Sequence, residues 1–492
     1  MDHTERRVGA RSFARLLGEW RPADGRRLAS ALADRIRLLV LDGRLPLEIR
    51  VPAERELAGA LAVSRTTVAA AYDQLRDAAV LRSRRGAGSW TRLPTGPPGG
   101  APPSPFFLLD DTAPHELAHA ALPAPSEHLR RATTAAVHDL DALLGGHGYD
   151  LLGLPVLRTA IAGRFTARGL PTTADQVLVT TGAQGAIALV LATLTGPGDR
   201  VLVEHPTYPN ALDAIAARGA HPVPVPMTTD PGTRADGWDL DLLTAAVRDA
   251  APRLAYLIPD FQNPTGAVLP AQDRERLVDL ARRTGTPLLV DETLAELSLD
   301  GPSPPPVGSF GGPDSPHVLT VGSASKVIWG GLRVGWVRAS APMVRRLAAR
   351  RAALDLGGPP LEQLITARLL GEVEEIAAQR RIEVTAARDH LLGRLSALFP
   401  GWAANRPTGG LFLWVDVGAP VSSRLAVAAR RHGLVIAAGP RFGLDGAFER
   451  RLRLPCTLRR DRVDAALDRL LLAWAGLDQV EAGVPPEPVA VA

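Results

Sequence analysis

Short apolar strands alternate with helical segments from about Tyr149 onwards, and this alternation limits the chain to few folds. Five strands are predicted there, over 177–180, 200–204, 254–258, 288–290 and 318–321. Strands separated by helices favour an α/β fold with a mainly parallel sheet. Ligands of such sheets gather at the carboxyl ends of the strands, so the loops that follow the strands form the candidate site.

The first strand is followed directly by small residues. It leads into Gly182-Ala183-Gln184 and then into an apolar helix, so that backbone N–H groups and a helix N-terminus can receive a phosphate. A turn of small residues between a strand and a helix is also common in α/β proteins without such a site. On this loop alone, both interpretations stay open.

Three further loops carry groups with either a chemical or a purely structural use. The third strand leads to Asn263 in an Asn-Pro-Thr-Gly segment, whose residues are also ordinary turn formers. The fourth strand delivers Asp291, whose carboxylate is equally typical of a solvated strand end. The fifth strand is followed by Ser323, Ser325 and Lys326.

Lys326 stands out by composition, because it is the one lysine among 56 lysine and arginine residues. Arginine serves salt bridges, phosphate contacts and solubility, but a guanidinium stays protonated and cannot attack an aldehyde. An amine can lose its proton and form a Schiff base. Composition alone leaves open whether Lys326 is kept for that chemistry or is a surface lysine that survived by chance.

Taken together, these loops resemble the cofactor site of fold-type-I pyridoxal-phosphate enzymes, the aspartate aminotransferase superfamily. The resemblance covers about 125–475 and implies a large α/β domain with a smaller α+β domain. It implies that Lys326 holds pyridoxal 5′-phosphate (PLP) as a Schiff base. It also implies that Asp291 pairs with the pyridine nitrogen and Asn263 with the phenolic oxygen. The residues expected around the phosphate are Gly182, Ala183, Gln184, Ser323, Ser325 and Arg333.

Further positions follow from the same resemblance. Tyr208 matches the aromatic that stacks near the cofactor ring, although an ordinary core tyrosine would look the same. Tyr149 matches the segment that reaches the phosphate of the neighbouring subunit, so a homodimer is expected. Arg453 lies where the family keeps the arginine that binds the α-carboxylate of a substrate or effector.

One position departs from the pattern. Two residues after the aspartate, regulators of this type commonly place a tyrosine on the phenolic oxygen, and here Thr293 stands instead. A threonine hydroxyl is shorter and far less acidic than a phenol. We therefore expect weak or partial transamination.

The N-terminal region has a different character. Residues 1–92 hold 18 Arg against 11 Asp and Glu, whereas the rest of the chain is slightly acidic. Apolar periodicity and stop signals predict helices over 28–42, 53–61 and 65–78, and a two-stranded hairpin over 80–82 and 89–92. Two helices joined by a short turn and followed by a hairpin indicate a winged helix-turn-helix. A basic module of this kind suits a polyanion better than a merely solvated face.

The segments Pro-Ala-Glu-Arg-Glu-Leu-Ala at 52–58 and Val-Ser-Arg-Thr-Thr-Val at 63–68 resemble the GntR-type winged helix. The resemblance implies operator DNA as a partner, read by the N-terminal end of the recognition helix and touched by the wing. Family members often carry an arginine where this chain has Ala69, so the operator sequence is not predicted. The expected DNA-binding residues are Arg55, Ser64, Arg65, Thr66, Thr67, Arg84, Arg85 and Gly86.

Between the two regions, prolines and glycines are dense, which predicts a semi-extended linker. The expected organisation is a winged helix at 25–92, a linker at 93–125, a PLP-binding domain at 126–475 and a disordered tail at 476–492. This combination resembles the MocR family of bacterial transcriptional regulators. It implies a regulator that senses PLP or an amino compound. The alternatives are an active aminotransferase with a DNA-binding extension, and a dimerisation scaffold without cofactor.

Cysteine usage and hydropathy narrow the setting. The single Cys456 permits no intramolecular disulfide and supplies no zinc cluster, so no metal is expected. The longest apolar stretches are far below the ~20 residues that span a bilayer. We therefore expect a cytoplasmic protein.

Overall fold

The computed structural model describes residues 7–18, 20–21, 28–41, 44–45, 49–77, 80–84, 88–91, 115–228 and 237–477. Of the predicted DNA contacts, Arg85 and Gly86 lie outside these ranges, and only the backbone of Arg84 is described. The described elements of the N-terminal module are α1 (Ala10–Leu17), α2 (Leu28–Leu41), α3 (Glu54–Leu61), α4 (Arg65–Asp77), β1 (Leu81–Arg84) and β2 (Gly88–Thr91).

The predicted helix-turn-helix is present, with element bounds within two residues of those expected. The helices α2, α3 and α4 share one apolar core, and β1 pairs antiparallel with β2 to form the wing. The helix α1 was not predicted. Its Phe13 and Leu17, four residues apart on one face, are fully buried in the same core. Ahead of α1, the Val8 N–H donates to the Arg50 carbonyl at 3.2 Å.

The remaining strands form two sheets. In chain order they are β3 (His115–Leu117), β4 (Val177–Thr181), β5 (Arg200–His205), β6 (His221–Thr228), β7 (Gly237–Trp238), β8 (Leu254–Leu257), β9 (Leu288–Asp291), β10 (Val318–Ser323), β11 (Val334–Arg338), β12 (Ala403–Ala404), β13 (Phe412–Asp416), β14 (Leu434–Ala438) and β15 (Arg451–Pro455).

Eleven helices accompany them among the described residues. They are α5 (Ser126–Leu140), α6 (Pro155–Ala167), α7 (Gly182–Leu194), α8 (Pro209–Ala217), α9 (Leu240–Ala250), α10 (Ala271–Thr284), α11 (Ala341–Arg351), α12 (Pro360–Gly371), α13 (Val373–Leu398), α14 (Ser422–Arg431) and α15 (Arg460–Ala475).

The large sheet has the strand order β4-β11-β10-β9-β8-β5-β6-β7. The strands β10, β9, β8, β5 and β6 pair in parallel, which confirms the predicted mainly parallel sheet, although β6 itself was not predicted. The strand β11 runs antiparallel to both β10 and β4, so β4 is again parallel to the centre of the sheet. The carboxyl ends of all the predicted strands therefore meet at one edge.

Helices cover both faces of this sheet, because its strands are apolar on both sides. Ile187 and Val190 of α7 pack in one buried cluster with β4 and β10 residues. Leu243 of α9 and Leu277 of α10 belong to another cluster on Leu202 and Val290. With both faces covered by helices, a ligand can reach the sheet only at the edge where the strands end.

The smaller sheet has the strand order β12-β13-β15-β14-β3. Its end strand β3 pairs in parallel with β14 and lies within the range 93–125 that the sequence predicted as linker. A short strand preceded by a proline-rich stretch carries no local signal, because the partner strand lies more than 300 residues later. Residues 93–114 of that range lie outside the described residues, as do residues 478–492 of the predicted tail. No helix in the described ranges is long and apolar enough to cross a membrane.

Candidate functional site

The loops at the carboxyl edge of the large sheet surround one space, and Lys326 lies at its centre. Lys326 is carried on a single π-helical turn, Ser325–Trp329, directly after β10. The charges that act on its amine are those of Arg453, Asp291 and Arg333, so these four predicted residues lie together.

The N-terminus of α7 forms one wall of the space. Gly182 has φ +70°, and a Cβ there would lie 2.4 Å from Arg333 Nη2. Gly335 on β11 is packed so closely that a Cβ would lie 2.4 Å from the Gly182 carbonyl carbon and 2.6 Å from the Ala183 nitrogen. Only glycines permit this approach, and the result is a helix N-terminus with a guanidinium beside it.

Two hydroxyls lie at the end of β10, on the strand next to β11. Ser323 Oγ donates to Ser325 Oγ at 2.9 Å, and the Ser325 N–H donates back to Ser323 Oγ at 3.1 Å. This mutual arrangement fixes both hydroxyls at the turn that carries Lys326. Hydroxyls, helix N–H groups and a guanidinium are the donors that a dianionic phosphate requires.

The Lys326 amine loses its proton more readily than an ordinary lysine. Burial lowers its pKa to about 8, and the positive charge of Arg453 acts in the same direction. Its Nζ donates to the Ala120 carbonyl at 2.9 Å. A buried amine with a depressed pKa is the form that attacks an aldehyde.

Asp291 at the end of β9 is held by two neighbours. Tyr256 on β8 donates its hydroxyl to Oδ2 at 2.8 Å, and the Thr293 N–H donates to Oδ1 at 3.0 Å. Burial raises the pKa of Asp291, while the hydroxyl and the N–H of Thr293 lower it. The Thr293 hydroxyl is therefore directed at the carboxylate. This accounts for the hydroxyl at the one position where the sequence departs from the family pattern.

Tyr208 and Asn263 complete the space on the side of β5 and β8. Burial and the Asp291 charge raise the pKa of Tyr208 to about 12, and its hydroxyl accepts from Asn210 Nδ2 at 2.9 Å. Asn263 is buried, and its Oδ1 accepts from Arg453 Nη1 at 3.3 Å. Both therefore face the charged groups of the site and not a purely apolar core.

Arg453 on β15 connects the small sheet to this site. It is fully buried, and its guanidinium lies 5.3 Å from the Phe412 ring centroid and 5.1 Å from that of Phe442. Its Nη2 donates to the Ala118 carbonyl. Burial lowers its pKa to about 9. A guanidinium held by rings and carbonyls gains strongly from a carboxylate ligand.

Buried arginines also occur outside this site. Arg274 pairs with Asp260, and Arg388 pairs with Asp300 at 2.6 Å. Arg338 is fully buried as well and donates to the Pro313 carbonyl. What distinguishes Arg453 is its position, because it donates to Asn263 and its charge acts on Lys326.

Tyr149 is not brought to this space in its own chain. It lies on the loop before α6, is 67% exposed, and stacks on His147 with a ring-centroid distance of 5.7 Å. This position is compatible with the expected contribution to a neighbouring subunit.

Sequence reasoning missed three contributors to the site. Tyr256 looked like a core residue of an apolar strand, and Ala118 and Ala120 act through backbone carbonyls, which no side-chain pattern reveals. His119 lies between those carbonyls. Burial, Arg453 and Lys326 together lower its pKa to about 4. Only the juxtaposition of distant strands could have identified them.

The residues present fit PLP. The buried Gln184 Oε1 at the start of α7 has no hydrogen-bond partner within the described ranges, although its Nε2 donates to the Asn210 carbonyl at 3.0 Å. A polar atom buried without a partner is costly unless a ligand or water satisfies it. The close approach of Gly335 to Gly182 at the start of α7 is called the glycine cradle. Together with this cradle, the amine of Lys326 and the carboxylate of Asp291, Gln184 provides hydrogen-bonding groups that suit a phosphorylated pyridine.

Most of the residues predicted to contact DNA lie on α3 and at the start of α4. Ser64 Oγ accepts from the Thr67 N–H at 3.1 Å and so begins the recognition helix α4. Arg55, Arg65 and Thr66 are exposed. Arg65 Nε lies 3.5 Å from Glu54 Oε2 and keeps a side-chain exposure of 72%. The exposed start of α4 is thus polar and basic.

Comparison with known proteins identifies both parts of the chain. Residues 126–470 match the family model "Aminotransferase class I and II". The chain belongs to this aminotransferase family. Members of the family are PLP-dependent, which confirms the expected cofactor. Residues 28–90 match the model "Bacterial regulatory proteins, gntR family", so the aminotransferase domain follows a GntR-type DNA-binding domain.

Relatives share this combination. The uncharacterized HTH-type transcriptional regulator YisV of Bacillus subtilis is 26% identical over 89% of this chain and 94% of its own. The probable rhizopine catabolism regulatory protein MocR of Rhizobium meliloti is 30% identical over 62% of this chain and 64% of its own. The architecture matches the MocR family and confirms that resemblance.

Solved aminotransferases share the fold of the PLP-binding part of the chain, which is called the body below. The α-aminoadipate aminotransferase LysN of Thermus thermophilus, complexed with N-(5′-phosphopyridoxyl)-L-leucine, superimposes with a TM-score of 0.66 and 28% identity. The likeness covers 74% of this chain and 93% of LysN. The predicted fold-type-I class with an N-terminal winged helix is therefore confirmed.

Proposed function

We propose that this aminotransferase-family chain is a transcriptional regulator. It binds operator DNA through the winged helix and senses PLP, or an amino compound that reacts with it, through the body. The observation that carries the proposal is the presence in one chain of a recognition helix whose exposed start is polar and basic and of the groups around Lys326 that suit PLP. The regulators YisV and MocR, which resemble it, support the same conclusion.

In the body, each group has a definite task. The N-terminus of α7, Ser323, Ser325 and Arg333 would hold the phosphate, and the Lys326 amine would bond to the aldehyde. Asp291, oriented by Tyr256, would keep a proton on the pyridine nitrogen, and Asn263 would donate to the phenolic oxygen. When bound, PLP supplies an electron sink for amino compounds.

Arg453 selects the ligand. A ligand carboxylate bound by its guanidinium would compete with the Ala118 carbonyl as hydrogen-bond acceptor. The free Lys326 amine donates to the Ala120 carbonyl, so bonding of that amine to PLP would break this contact, and release of the amine by an amino compound would allow it to form again. Both carbonyls belong to one short segment. That segment follows β3 and therefore continues towards residues 92–114 and the DNA-binding module. A ligand with an amine and a carboxylate thus makes the differential contacts that a switch requires.

The remaining features of the proposal concern organisation. The units are a DNA-binding domain over 25–92, a linker that ends before β3, and a PLP-binding body up to about 475. Tyr149 would reach the phosphate of a second subunit in a homodimer, as its exposure permits. A DNA-binding regulator of this kind would act in the cytoplasm.

A working aminotransferase is the second candidate. It is favoured by the presence of Arg453, Asp291 and Lys326 together and by the likeness to LysN. Thr293 argues for slow turnover, because its hydroxyl is directed at Asp291 and leaves the phenolic oxygen to Asn263 alone among the expected partners.

The test uses the full-length protein and the DNA upstream of its own gene. We expect a footprint that changes when PLP or one of a panel of amino acids is added. Lys326→Ala should keep the footprint but lose both its response and the visible absorbance of the bound cofactor. Arg65→Ala should lose the footprint and keep the absorbance.

Two other outcomes would contradict the proposal. No footprint on that DNA, together with conversion of an amino acid and a keto acid at ~1 per second or more, would overturn the proposal. Absence of cofactor absorbance in the wild type would leave a scaffold without cofactor instead.

A further inference from the structure

The N-terminal module contains a concave basin that the expected DNA contacts do not fully use. It has a volume of about 420 Å³ and lies between the starts of α3 and α4 and the strand β2 of the wing. Four arginines line it, and two of them, Arg55 and Arg65, are expected DNA contacts. The other two are Arg7 and Arg50.

Arg50 is built into the wing. Its backbone bridges Arg7 on one side and Trp90 on the other, so residues 7 and 50 extend the two-stranded wing. Its guanidinium lies 5.9 Å from the Trp90 ring centroid, and a Cβ at Gly88 would meet its Nε at 2.6 Å. Gly88, with φ +121°, therefore leaves room for this side chain at the wing. The charge of Arg50 is thereby held at a fixed place in the basin.

Arg7 comes from outside the range that matches the GntR model. The contact of Val8 with Arg50 and the buried Phe13 and Leu17 of α1 fasten its segment to the module. Its guanidinium pairs with Glu56, which also accepts from the Ala53 N–H at 3.2 Å at the start of α3. Arg7 keeps a side-chain exposure of 48%, so part of its surface faces solvent in the basin.

The charges of the basin favour an anion. The lining holds four arginines, Arg7, Arg50, Arg55 and Arg65, and one carboxylate, Glu54. Glu56 lies beside it and interacts with both Arg7 and Arg50, so four positive charges face two negative ones. The floor is closed by Tyr72, which is buried and donates to the Pro52 carbonyl at 2.9 Å. Because the basin adjoins both the recognition helix and the wing, the anion that reaches it is the sugar-phosphate backbone of the DNA bound by those two elements.

We propose that Arg7 and Arg50 bind backbone phosphates of duplex DNA, so that the segment before the GntR-type domain enlarges the DNA interface. The inference rests on the proposed DNA binding by the module. It assigns a role to Arg50, which lies inside the range matched by the GntR model, and to the segment of Arg7, which precedes that range. Phosphate contacts of this kind are independent of base sequence.

The test is the salt dependence of binding to a fluorescent duplex of random sequence, measured by anisotropy with the full-length protein. Each phosphate contact contributes about 0.9 to the slope of log K against log salt. We expect Arg7→Ala and Arg50→Ala each to reduce the slope by about that amount and to weaken binding several-fold. Arg37→Ala, which removes an exposed charge of α2 outside the basin, should leave the slope unchanged.

Two further variants separate contact from structure. Arg7→Ala also leaves the charge of Glu56 without its partner, so the double variant Arg7→Ala, Glu56→Gln is measured beside it. If the double variant recovers the wild-type slope, Arg7 only neutralises Glu56, and its proposed contact with phosphate is overturned. Arg50→Lys keeps the charge but not the contact with Trp90. It should retain the slope, and a loss equal to that of Arg50→Ala would overturn the contact by Arg50.

Failure of the inference differs from failure of the proposed function. If the wild type binds duplex and Arg65→Ala weakens it while Arg7→Ala and Arg50→Ala keep its slope, only the enlarged interface is excluded. If the wild type binds no duplex at low salt, both the enlarged interface and the proposed DNA binding by the module are excluded.

Discussion

The Tyr256 hydroxyl donates to Asp291 Oδ2 at 2.8 Å across the neighbouring strands β8 and β9. With the Thr293 N–H on Oδ1, the carboxylate is held from two sides, by a side chain of β8 and by the backbone just after β9. Asp291 is thereby positioned before any ligand arrives. Tyr256 acts through Asp291 and is a positioning residue, so it fixes where a proton is held on a pyridine nitrogen.

Replacing this tyrosine tests the contact. Tyr256→Phe removes a hydrogen bond to a buried carboxylate, and we expect the free energy of unfolding of the cofactor-free protein to fall by about 1.5–3 kcal/mol. Urea denaturation measures it. Tyr149→Phe, at an exposed position, should change stability by less than about 0.5 kcal/mol. Equal stabilities of Tyr256→Phe and wild type would show that the hydroxyl does not hold Asp291.

Glu204 predicts a pH dependence of stability. It is fully buried, accepts from Trp238 Nε1 at 2.7 Å and from the Ile258 N–H at 2.9 Å, and its burial raises its pKa from 4.5 to about 7. Its stabilising contribution is therefore fully present below 4.5 and is lost as the pH rises through about 7. The loss amounts to at most about 3 kcal/mol.

Glu204→Gln should remove this component. The difference in unfolding free energy between wild type and variant should shift between pH 4.5 and 7 in favour of the variant at the higher pH. Urea titrations at several pH values measure it. Glu374→Gln, on an exposed side chain of α13, serves as the control and should follow the wild-type profile. Parallel curves for Glu204→Gln and wild type would contradict the prediction.

The glycine cradle predicts a contrast between two substitutions. In Gly335→Ala the new Cβ would meet backbone atoms of Gly182 and Ala183, so the N-terminus of α7 must move. We expect PLP affinity to fall about tenfold or more, equivalent to about 1.4 kcal/mol. In Gly185→Ala the nearest atom lies at 3.6 Å, an ordinary contact. That variant should bind PLP as the wild type does and gain about 0.5–1 kcal/mol of stability.

Titration of the cofactor absorbance measures both affinities. A Gly335→Ala protein that binds PLP normally would show that the close approach of β11 to α7 is not needed for the phosphate.

The pKa of the Lys326 amine depends on the charge of Arg453. Burial is the main cause of its lowered pKa of about 8, and Arg453 adds to it. Arg453→Met should therefore raise this pKa and slow the reaction of Lys326 with an amine-directed reagent at pH 8 several-fold in the cofactor-free protein. Because the chain has one lysine, mass spectrometry of one peptide follows the reaction.

The matched control is Arg441→Met. Arg441 is paired with Asp213 at 2.7 Å and is not among the charges that act on Lys326, so its removal should leave the rate unchanged. If Arg453→Met reacted as fast as the control, the two groups would not be coupled.

The sequence predicted those parts of the fold that have local signals. The five predicted strands of the eight-stranded sheet are apolar, short and bounded by turn residues, and their observed bounds agree within two residues. Their shared edge followed from parallel pairing alone. Asp291, Asn263 and Lys326 were therefore placed near one another without any distance information.

The remaining parts depend on contacts between distant residues. Tyr256 and Asp291 are 35 residues apart and meet only because β8 pairs with β9. The strands of the small sheet are short and pair across long separations, so β3 was included in the linker. The helix α1 was missed although Phe13 and Leu17 have helical spacing, because its single apolar pair is a weak signal.

The edge strand β3 sets the point at which the two halves of the gene can be exchanged. Since β3 pairs with β14, and Ala118 and Ala120 after it contact Arg453 and Lys326, these residues belong to the body although they precede residue 126, where the family match begins. A recombination that joins a new DNA-binding module at residue 126 would remove part of the ligand site. A junction ahead of His115 keeps the site whole, so the interval before that residue is where natural or engineered swaps of the module are tolerated.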